Sequence, residues 1–297
     1  MPNFCPVDSP LYTLLCQPLS YPFMQKALLA ALFLGIVTGV LGAFVVVRGM
    51  AFFAEALGHA VVPGIAAAYV IGGINGPLLI GAMIAGGLAA VLIGFLTRAS
   101  RLREDTAIGV VLTGAVALGV AIMKLSQKTA GHLDDLLIGN IVALGNYDLL
   151  AILIVGGLIL LLIRAFYKEL LIVSFDPVLG STLRYPVEGF RYLLLIMLAM
   201  AAVIAIQAVG AILITAMLVT PAATASLLVK RMPRLMLLSA IFCAGSSLLG
   251  VMLAWHLRLA ASPAIVLTLT VLFMLAYLFA PERGLFWNAL RKTSEAT

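Results

Sequence analysis

Long apolar runs dominate the chain, each ended by a short cluster of charged residues, Gly or Pro. A hydrocarbon layer about 30 Å thick takes roughly 20 apolar residues of helix. Nine runs meet that length, at 24–47, 50–72, 77–97, 106–124, 149–167, 189–209, 211–229, 235–257 and 262–280. Two of them nearly touch at Val209-Gly210, so the count is eight if that point is a break in one long helix. The pattern predicts an all-α polytopic membrane protein of about nine transmembrane helices.

Composition agrees and excludes other classes. Charged residues make up 10% of the 297 and hydrophobic residues 64%, whereas soluble chains carry about 25% charged residues. A single soluble core could not hide so much apolar surface behind so little polar shell. Disordered, fibrous and nucleic-acid-binding readings fall with it, and Cys5, Cys16 and Cys243 are too few and scattered for a disulfide framework or a thiolate metal site.

The net charge of +6 becomes informative once it is placed on the spans. Fourteen of the 18 Lys and Arg residues fall on one side if the spans alternate: Arg48, Arg98, Arg101, Arg103, Arg164, Lys168, Arg184, Arg191, Lys230, Arg231, Arg234, Arg283, Arg291 and Lys292. Lys26, Lys124, Lys128 and Arg258 remain for the other side. Basic loops stay cytoplasmic, which predicts the N-terminus outside and the C-terminus inside. Residues 1–23 are then an external segment, 24–282 the membrane domain and 283–297 a cytoplasmic tail. With no Lys or Arg before the first run, that run is not expected to be a cleaved signal peptide. Within the spans, the Gly35/Gly39 pair and the small face of Gly81, Ala85, Gly86 and Gly87 read as close helix packing.

Eleven of the twelve carboxylates fall in loops, tails or span edges; Glu55 lies inside the second span. A carboxylate at mid-membrane costs about 2.5–3.5 kcal/mol on insertion scales, so it faces a cavity, a partner or a transported ion. His59 follows four residues later, on the same helix face. Carboxylate oxygen plus imidazole nitrogen is half of a site for Mn²⁺, Fe²⁺ or Zn²⁺, and Pro63 and Gly64 loosen the helix just beyond. The pair also admits two other readings, a Glu–His hydrogen bond that locks two helices and a proton relay. A zinc protease is disfavoured, because Glu-x-x-x-His lacks the first His of the H-E-x-x-H motif.

The remaining His are weaker signals. His132, with Asp134 and Asp135, lies in an outward segment at about 130–146, too short to span, where it could meet a cation at the mouth or be a solvated loop. His256 beside Trp255 reads as an interfacial anchor. No phosphate-binding glycine motif is present in the chain, so ATP-driven transport would need a separate ATPase chain.

Several segments together resemble the membrane permeases of the manganese/zinc/iron family of ABC importers. They are Val45-Val-Val-Arg48-Gly-Met50 with Glu55-x-x-x-His59-x-x-x-Pro63-Gly64, then Arg103-Glu104-Asp105-Thr106-Ala-Ile-Gly109. Asp134-Asp135-Leu-Leu-Ile-Gly139-Asn140, Phe175-Asp176-Pro177 and Leu218-Val-Thr220-Pro221-Ala222-Ala223 follow in the family's order. The resemblance implies an ABC importer transmembrane domain in the bacterial inner membrane, paired with a second copy of itself. It also implies two cytoplasmic ATPase subunits and an extracellular or periplasmic metal-binding protein. Glu55 and His59 would handle the metal in transit, as cargo and not as a resident cofactor. A coupling segment at about 174–188, including Asp176, Pro177, Gly180 and Leu183, would dock the ATPase. The chain departs from the family at Glu55, where Asp is usual, at Gly58, where Ser is usual, and at Gly180 and Arg184, where Ala and Gly are common. Glu104-Asp105-Thr106 and His132-Leu-Asp-Asp resemble the manganese/iron branch, so the reading leans to manganese over zinc or iron(II). The rival readings are a proton-coupled secondary transporter with Glu55 as the protonated group and, more remotely, an intramembrane metal hydrolase.

Overall fold

The computed structural model of the chain describes residues 20–73, 77–99, 104–126 and 144–280, and among them every regular element is a helix. The chain begins with α1 (Pro22–Arg48), α2 (Ala51–Ala60), α3 (Val62–Gly72), α4 (Leu78–Ala99), α5 (Glu104–Ser126) and α6 (Asn146–Ala165). Two short helices follow, α7 (Tyr167–Phe175) and α8 (Pro177–Thr182), and then α9 (Val187–Val209), α10 (Ala211–Leu228), α11 (Met232–Leu257) and α12 (Ala261–Phe279). Eight helices of the described residues are long and apolar enough to cross a membrane, α2 and α3 together forming one of them. The shorter apolar stretch Leu213–Leu228 of α10 corresponds to the run at 211–229, the seventh in the sequence.

Whether Val209-Gly210 is a kink or a reversal is decided by neighbours. Gly210 stands at φ 83° and ψ 164°, a backbone region open to glycine. Beyond it the chain comes back: Met217 O accepts a hydrogen bond from Cys243 Sγ at 3.4 Å, and Leu218 and Ala222 lie beside Gly42 in α1. An 18-residue helix is about 27 Å long at 1.5 Å per residue. Among the described residues there are thus eight helices that qualify as spans and, in α10, a separate shorter apolar helix that is not a continuation of α9.

α1 is the hub, packed against α11, α10 and α6. A Cβ built on Gly35 would stand 2.7 Å from Ala244 Cα, and one on Gly39 would stand 2.7 Å from Ala240 Cα. The order of these pairs makes α1 and α11 antiparallel. The same device joins α3 to α4, where Gly64 and Gly81 face each other. Polar links run inside the bundle: Thr38 Oγ1 donates to Leu34 O at 2.7 Å and lies 3.5 Å from Cys243 Sγ. At one end of the bundle the rings of Tyr21 and Trp255 lie 5.4 Å apart, with Phe23 beside them. Such rings suit the membrane–water boundary, and His256 sits there as expected, its Nδ1 2.8 Å from Met252 O.

Replacing Gly39 by Val is expected to part α1 from α11 and lower the thermal unfolding midpoint in detergent, at a cost of about 1–3 kcal/mol. Gly157→Ala, at a position with nothing within 4 Å of a new Cβ, should leave the midpoint unchanged.

Candidate functional site

The turn that ends α1 sets up the site. Gly49 takes the left-handed conformation, φ 68°, and its backbone closes on Val45 O and Val46 O. Met50 is then buried, and α2 begins at Ala51. α2 buries one face completely, with Phe53, Ala56 and Leu57 each 0% exposed. Its other face carries Phe52 (65% exposed), Glu55 (exposed) and His59 (part-exposed). These positions lie within one arc of a helix wheel. The open face of this first half of the second span thus bears the carboxylate and imidazole that the sequence singles out.

The second span is not one helix. α2 stops at Ala60, Val61 forms a turn and α3 starts at Val62 with Pro63 in its first turn. Pro63 has no N–H to give to the carbonyl of His59, four residues back, and the Val61 N–H turns to that carbonyl instead. The loosening expected at Pro63-Gly64 is thus found just N-terminal to it.

Neither Glu55 nor His59 has a hydrogen-bond or ion-pair partner among the described residues. They do not bond to each other, so the reading in which a Glu–His hydrogen bond locks two helices finds no support in the geometry. No third His, Cys, Asp or Glu gathers with them among the described residues. Two donors from one chain cannot complete the coordination of a divalent metal, and the open face leaves room for more. The neighbouring groove of about 700 Å³ between α3, α4 and α5 is lined by apolar groups such as Pro63, Ile84 and Leu88, with no donor set for an ion.

His132, Asp134 and Asp135 lie outside the described residues. The segment around Asp176 is well defined. Asp176 caps α8 by accepting from Leu179 N at 2.9 Å, and Pro177 supplies the preset first turn. Gly180 is buried, and a Cβ there would meet Val187 Cγ2 at 3.0 Å, so α8 lies flat against the start of α9. Leu183 is exposed together with Phe175, Val178 (73%) and Leu179. The sequence reading named the residues that build this short helix and, of the exposed apolar side chains, Phe175 and Leu183, but missed Val178 and Leu179. Their only signal in the sequence is their place in a charged connector. Arg184 follows in the left-handed region, φ 60°, which explains why glycine suits that position.

The structure also assembles a cluster that no spacing announces. Glu104 Oε1 accepts from Arg48 Nη2 at 3.0 Å and from Arg191 Nη2 at 2.7 Å. The three residues come from the end of α1, the start of α5 and the first turns of α9. They join three stretches of the sequence read as lying on the inner side.

In detergent, with Cys5 and Cys16 replaced by Ser, Glu55→Cys is expected to react with a polar thiol reagent, whereas Leu57→Cys, on the buried face, should not. Equal reaction at both positions would contradict the open face.

The family model described as "ABC 3 transport family" matches residues 20–280. The manganese transport system membrane protein MntC of Halalkalibacterium halodurans is 40% identical over 278 residues, covering 93% of this chain and 94% of that one. The chelated iron transport system membrane protein YfeD of Yersinia pestis is 33% identical, covering 91% of this chain and 89% of that one. Among solved structures, PsaBC from Streptococcus pneumoniae in complex with Fab aligns at a TM-score of 0.81 and 37% identity, covering 95% of this chain and 99% of the other.

Proposed function

The chain belongs to the ABC 3 transport family, and on that premise we propose that it is the membrane permease of an ATP-driven importer for divalent transition-metal ions, with manganese as the principal cargo. The observation that carries this reading is the open face of α2. A carboxylate and an imidazole stand one turn apart there, unpartnered among the described residues, in a helix that crosses the membrane. Manganese relatives such as MntC favour that metal, and the iron relative YfeD keeps iron(II) as the second reading. Zinc has the same ligand chemistry but less support.

The translocation path lies between two copies of the chain. A carboxylate exposed on a bare protomer would otherwise face hydrocarbon, and one copy supplies only two donors. Glu55 and His59 from both copies would surround an ion transiently, strongly enough to admit it and weakly enough to release it. The α8 region, with Asp176, Pro177, Gly180 and Leu183, docks a separate ATPase subunit through its exposed apolar side chains. An external binding protein delivers metal at the opposite end, near His132, Asp134 and Asp135. The basic residues put the C-terminus in the cytoplasm and the N-terminus outside, in a bacterial inner membrane. The chain itself translocates; hydrolysis of ATP belongs to its partner.

Reconstituted with its ATPase and binding protein, the complex is expected to take up Mn²⁺ in preference to Zn²⁺ and Fe²⁺ in direct competition. Glu55→Ala and His59→Ala should each lower that uptake by about tenfold or more at equal expression, the loss of a charged or ligating contact being worth at least about 1.4 kcal/mol. Glu55→Asp, the residue usual in the family, should retain it. Wild-type accumulation in both alanine variants would remove the site.

Val178→Asp should separately prevent the ATPase from co-purifying. Gradient-driven uptake by the chain alone would instead support a proton-coupled transporter.

A further inference from the structure

The Glu104 cluster is built more elaborately than a simple staple. One carboxylate oxygen is shared by two guanidinium groups, with side-chain exposures of 10% for Arg48, 16% for Arg191 and 25% for Glu104. Withdrawn charges of this kind are strongly destabilising to break one partner at a time. Glu188, one turn before Arg191 on α9, is near enough to act on Arg48 electrostatically. Arg48 Nη1, Arg191 Nε and Glu188 Oε2 are buried without a hydrogen-bond partner among the described residues. Two arginines and two carboxylates thus share one end of the bundle, with donors and an acceptor left over. Leaving buried polar atoms unpaired is costly, so a purely static clasp would be expected to use them. A cluster that must re-pair as helices shift has a reason to keep them.

The place of the cluster in the chain gives that spare capacity a direction. Arg48 is the last residue of α1; after Gly49 and Met50, α2 begins, and Glu55 stands in its second turn. Arg191 lies in the first turns of α9, which follows α8 after only four residues. The salt-bridged group therefore lies between the exposed short helix and the helix that carries the metal donors.

We propose that Glu104 is a positioning residue that locks the inner end of α1, and through it α2 and Glu55, to α9. Displacement of α8 and α9 is thereby passed to the metal-bearing helix. This inference rests on the permease reading above and adds to it the route by which ATP-driven motion reaches the ion.

The test is coupling, measured in proteoliposomes holding the full complex with its ATPase and binding protein, with Mn²⁺ as the probe. Uptake and ATP hydrolysis are followed in parallel. Glu104→Gln is expected to lower Mn²⁺ taken up per ATP by about tenfold while hydrolysis stays within about twofold of wild type, a loss in the range of a broken pairwise interaction. Arg191→Gln should give the same loss, the double variant no more than either, and Glu104→Asp should restore most of the ratio. If Glu104→Gln does not reach the membrane, Arg191→Gln, which leaves the Arg48–Glu104 pair intact, takes the same reading. A wild-type ratio in Glu104→Gln, no rescue by Asp, or a parallel fall of uptake and hydrolysis would overturn the interlock. Wild-type uptake in Glu55→Ala would overturn the permease site instead, so the two failures are distinguishable.

Discussion

Hydrocarbon offers neither hydrogen bonds nor a hydrophobic push between helices, so the bundle depends on how closely its helices approach α1. Gly35 and Gly39 admit the backbone of α11 on one side, and Gly42 admits α10 on another. Thr38 and Cys243 add a polar contact where these three helices meet, with Met217 O as the acceptor. Held in this way, α1 fixes the position of Arg48 at its end. Everything placed next, the Gly49 turn, the buried Met50 and the start of α2, takes its location from that grip.

The architecture was legible because membrane helices announce themselves by length and apolarity alone. Even the weak point at Val209-Gly210 was visible, though only packing could tell a reversal from a kink. Glu55 was legible for a related reason: in a chain with so few charges, a carboxylate inside a span stands out. What the sequence hid is contact at a distance. Glu104 is separated by 56 residues from Arg48 and by 87 from Arg191, and no periodicity links such positions. Arg48 and Glu104 stood in family-like segments, but nothing in the sequence paired them with each other or with Arg191. The apolar side chains presented by α8 were hidden by the opposite problem. In a chain this hydrophobic, Val178 and Leu179 carry no signal until exposure reveals them.

Two departures from the family pattern take on physical meaning in the fold. Glu in place of Asp at position 55 adds one methylene on an open face, where nothing buried is displaced. The longer side chain reaches further from the axis of α2. Arg in place of Gly at position 184 is a different matter, because its backbone is left-handed. A side chain in that region costs roughly 1–2 kcal/mol, and it stands where α8 hands the chain back to α9. The turn is thus held by its surroundings and not by the preference of its own residue.

The interruption at Val61 has a mechanical consequence. α2 is a rod of ten residues bounded by the left-handed Gly49 before it and, after it, by Val61, where the backbone stays right-handed helical but the N–H turns to His59 O. The altered hydrogen-bond ladder at Val61 lets α2 follow the end of α1 through the Gly49 turn without carrying α3 rigidly along. Successive residues of a helix are about 100° apart, so a roll of that size exchanges one face for the next. A roll of that order would carry Glu55 and His59 together, since they share one face of α2. The second span is therefore less a strut than an axle.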